Sequence, residues 1–118
     1  MKIVAISDTH GFHKRTKIPD GDVLIHSGDI SNSGDKIEID HFLDWFRFQN
    51  HKYKIFIAGN HDFYFDSEWC AKTVVGKKRW NPTVINKEEI KEYIPENVIY
   101  LNDSEVIIEG IKFWGSPV

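Results

Sequence analysis

Gly21-Asp22-Val23-Leu24-Ile25-His26-Ser27-Gly28-Asp29 is the stretch on which the fold turns. Its centre, Val23-Leu24-Ile25, is a short apolar run of branched residues, closed at once by Ser27-Gly28-Asp29. The same grammar appears on either side of it. Upstream, Ile3-Val4-Ala5-Ile6 closes on Ser7-Asp8, and downstream Ile55-Phe56-Ile57-Ala58 closes on Gly59-Asn60. Continuous apolar runs of this length read as strands buried on both faces, the mark of a parallel sheet covered on each side. Between the second and third runs, Asp35 and Glu38 read as an N-cap and its capping-box partner. Ile39, Phe42, Leu43 and Phe46 then follow at helical spacing on one face, and Asn50 and His51 are expected to end the helix. Strand, helix, strand makes a right-handed βαβ unit. The first connection, Thr9 to Asp22, carries Gly11, Pro19 and Gly21 and reads as a loop with little helix.

Further along, Asp66-Ser67-Glu68 is expected to open a short helix through Val74, broken by Gly76-Lys77-Lys78-Arg79 and Asn81-Pro82. Glu88 to Tyr93 reads as one more helical piece, stopped by Pro95, and Val98 to Leu101 as a fourth strand. Glu105–Ile108 and Ile111–Trp114 flank Glu109-Gly110, a two-residue hairpin signal in which Gly supplies positive φ. At 118 residues, 41% hydrophobic and 28% charged, the chain has the size and balance of one soluble globular domain. A net charge of −3 leaves no electrostatic footprint for nucleic acid. Cys70 is the single cysteine, which excludes an intrachain disulfide framework and fits a reducing, cytoplasmic compartment. No apolar run approaches a membrane span, so no membrane partner is expected.

The chemistry-bearing residues follow the first three strands directly: Asp8-Thr9-His10, Gly28-Asp29 and Gly59-Asn60-His61-Asp62. If the strands are parallel and adjacent, all three clusters reach the C-terminal edge of the sheet, where ligand sites of open α/β sheets gather. Two carboxylates, an amide oxygen and two imidazoles in one crevice make a mixed oxygen and nitrogen site. Such a donor set suits Mn, Fe, Zn or Ni better than Ca or Mg. Asp8 and His10 can chelate one ion, Asp29 can bridge two, and Asn60 offers an oxygen to the second. His26 reads as a hydrogen-bonded core histidine, His13 as a solvated loop residue, and His41 and His51 as surface residues. Lys77-Lys78-Arg79 reads as a solvated loop. Most aromatics belong in the core, with Phe63 and Tyr64 near enough to the third cluster to line a base-binding wall.

Asp8-x-His10, Gly28-Asp29 and Gly59-Asn60-His61-Asp62 resemble the first three motifs of the calcineurin-like metallophosphoesterases, in order and at fitting separations. Ile99-Tyr100-Leu101-Asn102-Asp103-Ser104 and Trp114-Gly115-Ser116-Pro117 resemble the small branch related to cyclic-nucleotide phosphodiesterases. The resemblance implies an α/β fold, the N-terminal portion of a βαβ sandwich, with residues 1–118 as one metallophosphoesterase domain. It implies two divalent metal ions, with Asp8 and His10 on the first, Asp29 bridging and Asn60 on the second. His61 would protonate or stabilise the leaving alkoxide, and Asp62 would orient its ring. The implied substrate is a phosphate ester, with nucleotides among the candidates.

That family normally supplies further histidine ligands downstream, yet all six histidines here lie at or before His61. The expectation is therefore a chain that forms part of a longer fold, completed by a C-terminal segment or by dimerisation through a hydrophobic edge at Ile111–Trp114. A second reading from a different class is a half-site remnant: a weak metal-binding or interaction piece without activity.

Overall fold

A computed structural model describes residues 1–65 and 89–117 of the chain. Four strands, β1 (Ile3–Ile6), β2 (Val23–His26), β3 (Tyr53–Phe56) and β4 (Ile99–Tyr100), pair in parallel in the order β1-β2-β3-β4. Among the described residues one long helix, α1 (Lys36–Arg47), crosses from β2 to β3, and a single turn, α2 (Ile90–Tyr93), precedes β4. A separate antiparallel pair follows, β5 (Ser104–Ile108) and β6 (Ile111–Gly115). Short 3₁₀ turns lie at His13–Arg15 and Phe63–Phe65. The expected helix from Asp66, its break at Gly76–Arg79 and Asn81-Pro82, and Cys70 lie outside the described residues. No helix among the described residues is long and apolar enough to cross a membrane.

The register sorts side chains onto two faces. Parallel pairing sets Val23 beside Tyr53, Leu24 beside Lys54, Ile25 beside Ile55 and His26 beside Phe56. Alternation then sends Leu24, His26, Lys54 and Phe56 to the helix side, and Val23, Ile25, Tyr53 and Ile55 to the other. On the helix side, Phe42 and Phe46 stack with ring centroids 4.9 Å apart and pack with Leu24, Ile39, Leu43, Phe56 and Val98. On the opposite side, Ile108 of the hairpin packs with Val23, Ile55 and Leu101. The hairpin turn places Glu109 at φ 50° and Gly110 at φ 82°, the double left-handed geometry of a tight two-residue turn.

Several local expectations are corrected. The third strand runs Tyr53–Phe56 rather than starting at Ile55, and α1 ends at Arg47, with Phe48 as its C-cap. β1 is not buried on both faces: Val4 is buried but Ile3 and Ala5 are exposed, because the hairpin does not reach the sheet's first strand. Asp35 does cap α1, accepting from Glu38 N–H at 3.0 Å. The Glu38 carboxylate does not return to Asp35. It accepts instead from the backbone N–H groups of Asn32 and Ser33, each at 2.8 Å. His13 and His51 are buried rather than solvated. The His13 ring packs on Phe42 and Trp45, and His51 Nε2 lies 2.9 Å from the Pro19 carbonyl.

Candidate metal centre

The three polar clusters leave the C-terminal ends of β1, β2 and β3 side by side. Pairing continues past the strands into the loops: Asp8 N–H donates to Gly28 O, His10 N–H to Asp29 O and Gly11 N–H to Ile30 O, each at 3.0 Å. The first two loops are thus one knitted unit. Asp8, His10 and Asp29 all adopt positive φ, at 56°, 44° and 57°. Left-handed backbone at non-glycine residues costs about 1–3 kcal/mol each and gathers where a site needs an unusual side-chain direction. Gly28 and Gly59 make the close packing feasible. A Cβ on Gly28, at φ 107°, would meet Gly59 Cα at 2.9 Å, and one on Gly59 would meet Asp29 N at 2.3 Å.

His10, Asp29 and His61 bring one donor atom each to within 4.8 Å of the others. His10 Nε2 lies 3.6 Å from Asp8 Oδ1 and 4.0 Å from Asp29 Oδ2. The rings of His10 and His61 meet edge to face with centroids 4.9 Å apart. A hydrogen bond from Ser7 holds the Asp8 carboxyl below its ordinary value, with neighbouring His10 acting the same way. The Asn60 side-chain amide lies 3.1 Å from both Asp29 carboxylate oxygens and, with its NH2 turned to them, donates to Asp29. Together with two imidazoles and the Asp8 carboxylate, this donor set fits a divalent transition-metal ion. The sequence-expected residues Asp8, His10, Asp29, Asn60 and His61 are therefore brought together.

Asp62 is placed differently. It is fully buried, and its carboxylate accepts from Gly59 N–H at 2.8 Å, Ile30 N–H at 3.1 Å, and Ser31 N–H and Oγ at 2.9 and 2.7 Å. Burial pushes its carboxyl up, and these donors pull against that shift. The His61 ring instead meets the Asn32 carbonyl through Nδ1 at 2.9 Å. The expectation that Asp62 orients the His61 ring is corrected: Asp62 ties the third loop to the second through the backbone. Tyr64 is also reassigned, since it is buried against Tyr93 rather than lining an open wall.

Sequence reasoning overlooked three contributors. Ser31 carries two of Asp62's bonds and sends its hydroxyl toward the His61 carbonyl at 3.3 Å. Thr9 and Asn32 hold His26 and His61. Their signal was weak, because all three act through hydrogen bonds formed only when separate loops meet. His26 does match its reading: it is fully buried, and burial lowers its pKa from the ordinary 6.5 to about 4.

Known proteins resemble this chain over nearly its whole length. The chain is 38% identical to human metallophosphoesterase domain-containing protein 1 over 121 residues, covering 98% of this chain and 37% of the human protein. Caenorhabditis elegans UPF0046 protein K07C11.7 is likewise 38% identical, with 98% of this chain and 38% of the nematode protein covered. A probable rhamnogalacturonate lyase C of Emericella nidulans is 44% identical over 122 residues, which is 99% of this chain and 10% of that protein. The chain thus spans well under half the length of these curated relatives. The family model described as calcineurin-like phosphoesterase matches residues 1–114, and by that match the chain belongs to the calcineurin-like phosphoesterase family.

Proposed function

We propose that this chain contributes a metal-dependent phosphoesterase site that hydrolyses phosphodiesters or phosphomonoesters, nucleotide esters among them. The observation that carries the reading is the convergence of His10, Asp29 and His61 donors within 4.8 Å at one sheet edge, beside the Asn60 side-chain amide. Asp8 and His10 would hold one divalent ion, Asp29 would bridge, and Asn60 would hold the second, with Mn, Fe, Zn or Ni as candidates. Divalent ions held there would supply Lewis-acid chemistry, making a coordinated water more acidic and offsetting charge on the phosphate oxygens.

The chain's own residues supply the remaining parts. Asp29 Oδ1 accepts the His61 backbone N–H at 2.9 Å, so the bridging carboxylate and the His61 loop are held in one register. A carbonyl only accepts, so the Asn32 contact keeps a hydrogen on His61 Nδ1 and directs the chemistry of this ring to Nε2. From there a protonated His61 would donate to the departing alkoxide oxygen. Asp62, engaged by four donors, keeps the loop in place and takes no proton in the reaction. The test is hydrolysis of an aryl phosphodiester with added Mn²⁺, comparing the chain with Asp29→Asn. A loss of activity in the variant supports the reading, and equal rates overturn it.

A further inference from the structure

Beneath the Asp8–His10 and Asp29 turns lies a side chain that the proposed chemistry leaves unused. His26, the last residue of β2, faces α1, is 0% exposed, and stands edge-on to Phe42 with ring centroids 5.1 Å apart. Its Nδ1 accepts the backbone N–H of Gly28 at 3.2 Å. A ring nitrogen that accepts an N–H carries no hydrogen, so the neutral ring keeps its hydrogen on Nε2. Nε2 therefore donates to Thr9 Oγ1, 2.9 Å away. Thr9, itself buried, sits between Asp8 and His10, and Gly28 immediately precedes Asp29. One imidazole thus ties the two turns whose three acidic and imidazole side chains all stand on left-handed backbone.

We propose that the Thr9–His26–Gly28 hydrogen-bond chain is a positioning device that sets the Asp8–His10 pair against Asp29 and governs how tightly the site holds a divalent cation. The inference rests on the metal-site reading above. Metal affinity demands ligand placement to within about 0.5 Å, and strained turns keep such placement only where their surroundings over-determine it. Loss of a group that orients ligands from behind typically weakens metal binding by about 10–100-fold. The hydroxyl at position 9 is the part that can be removed almost without change of shape. Thr9→Val keeps the volume but leaves the buried Nε2–H without an acceptor, whereas Thr9→Ser restores the acceptor.

The experiment is a Co²⁺ titration of the purified chain, followed by the metal's visible absorption, alongside thermal unfolding of each protein without metal. Wild type, Thr9→Val, Thr9→Ser, His26→Asn, Thr9→Val/His26→Asn and Asp29→Asn are compared. Thr9→Val is expected to bind about 10–100-fold more weakly, with an altered spectrum, and Thr9→Ser to bind within about threefold of wild type. His26→Asn, which can stay near Gly28 but cannot reach Thr9, is expected to weaken binding by a similar factor. The double variant should be no weaker than either single one, because both break the same chain of bonds. Should Thr9→Val fail to fold, the Thr9→Ser and His26→Asn pair carries the same comparison. A Thr9→Val protein that melts earlier yet binds Co²⁺ like wild type overturns the positioning role and leaves the metal-site reading standing. Fully additive losses in the double variant overturn it as well. Wild type binding no better than Asp29→Asn overturns both.

Discussion

His61 meets Asn32 through Nδ1 while sharing a 4.8 Å cluster with His10 and Asp29, so two roles compete for its Nε2: leaving-group acid and metal ligand. Leaving-group chemistry separates them. General acid catalysis contributes about 10²–10⁴-fold, and an alkyl alcohol needs the proton far more than a nitrophenolate does. His61→Ala is expected to slow alkyl or nucleoside esters much more than nitrophenyl esters, with metal content by elemental analysis nearly unchanged. Loss of metal would make His61 a ligand, and equal slowing of both ester classes would make it a purely electrostatic clamp. His26 gives a second residue-scale expectation. Burial, aided by the nearby His13 and His10 and opposed by Asp8, holds its folded pKa near 4 against an ordinary 6.5. As pH falls below about 6.5 the unfolded chain takes up this proton first, so the stability is full above that pH and drains away toward pH 4. The loss amounts to about 3 kcal/mol. Urea unfolding at pH 7 and pH 4.5 should show it, and His26→Asn should flatten part of the slope. The remainder belongs to groups such as His13, whose pKa burial also lowers.

At the scale of elements, α1 does more than cover the sheet. Its buried stripe of Ile39, Phe42, Leu43 and Phe46 supplies the core, while its two ends manage polar groups. At the C-terminal end, Lys54 of β3 donates Nζ to the Arg47 carbonyl at 2.9 Å, which explains a buried lysine in a strand. At the N-terminal end, Glu38 gathers the Asn32 and Ser33 N–H groups, and the Asn32 carbonyl in turn holds His61. The helix therefore reaches the site through one carboxylate and one peptide. Glu38→Ala removes hydrogen bonds to a charged acceptor and is expected to cost about 1.5–3 kcal/mol of stability. It should also mimic a mild His61 defect, slowing alkyl esters more than nitrophenyl esters. Unchanged ester selectivity would show that Glu38 serves the helix alone.

For the whole molecule, the uneven cover of the sheet matters most. The hairpin closes over Val23, Ile55 and Leu101 but leaves Ile3 44% exposed, and its own outer side shows Ile107 at 63% and Trp114 at 64%. The described strands β5 and β6 pair only with each other, so their outer backbone edges lack a ladder partner among the described residues. Exposed apolar side chains beside open strand edges favour association. Sedimentation of the chain should show concentration-dependent self-association, and Trp114→Lys with Ile107→Lys should shift it toward monomer. A wild-type chain that stays monomeric up to high concentration would show that the surface is tolerated as it stands.

The strands and the helix face were legible along the chain, apart from the start of β3 and the end of α1, because apolar run length and 3.6-residue spacing are local signals. So was the sharing of one edge by Asp8, His10, Asp29, Asn60 and His61, since each cluster follows an apolar strand and parallel order carries all three strand ends to one side. What lies behind those residues emerged only when the loops met in the folded chain. The partners of Asp62, the carbonyl that holds His61 and the tautomer of His26 all depend on loops distant in sequence meeting at hydrogen-bond distance. Burial of His13 and His51 was illegible for the same reason: a polar residue in a loop carries no periodicity, and its cover comes from Phe42, Trp45 and the Pro19 carbonyl. Patterns along the chain placed the chemistry, and hydrogen bonds across it set the geometry.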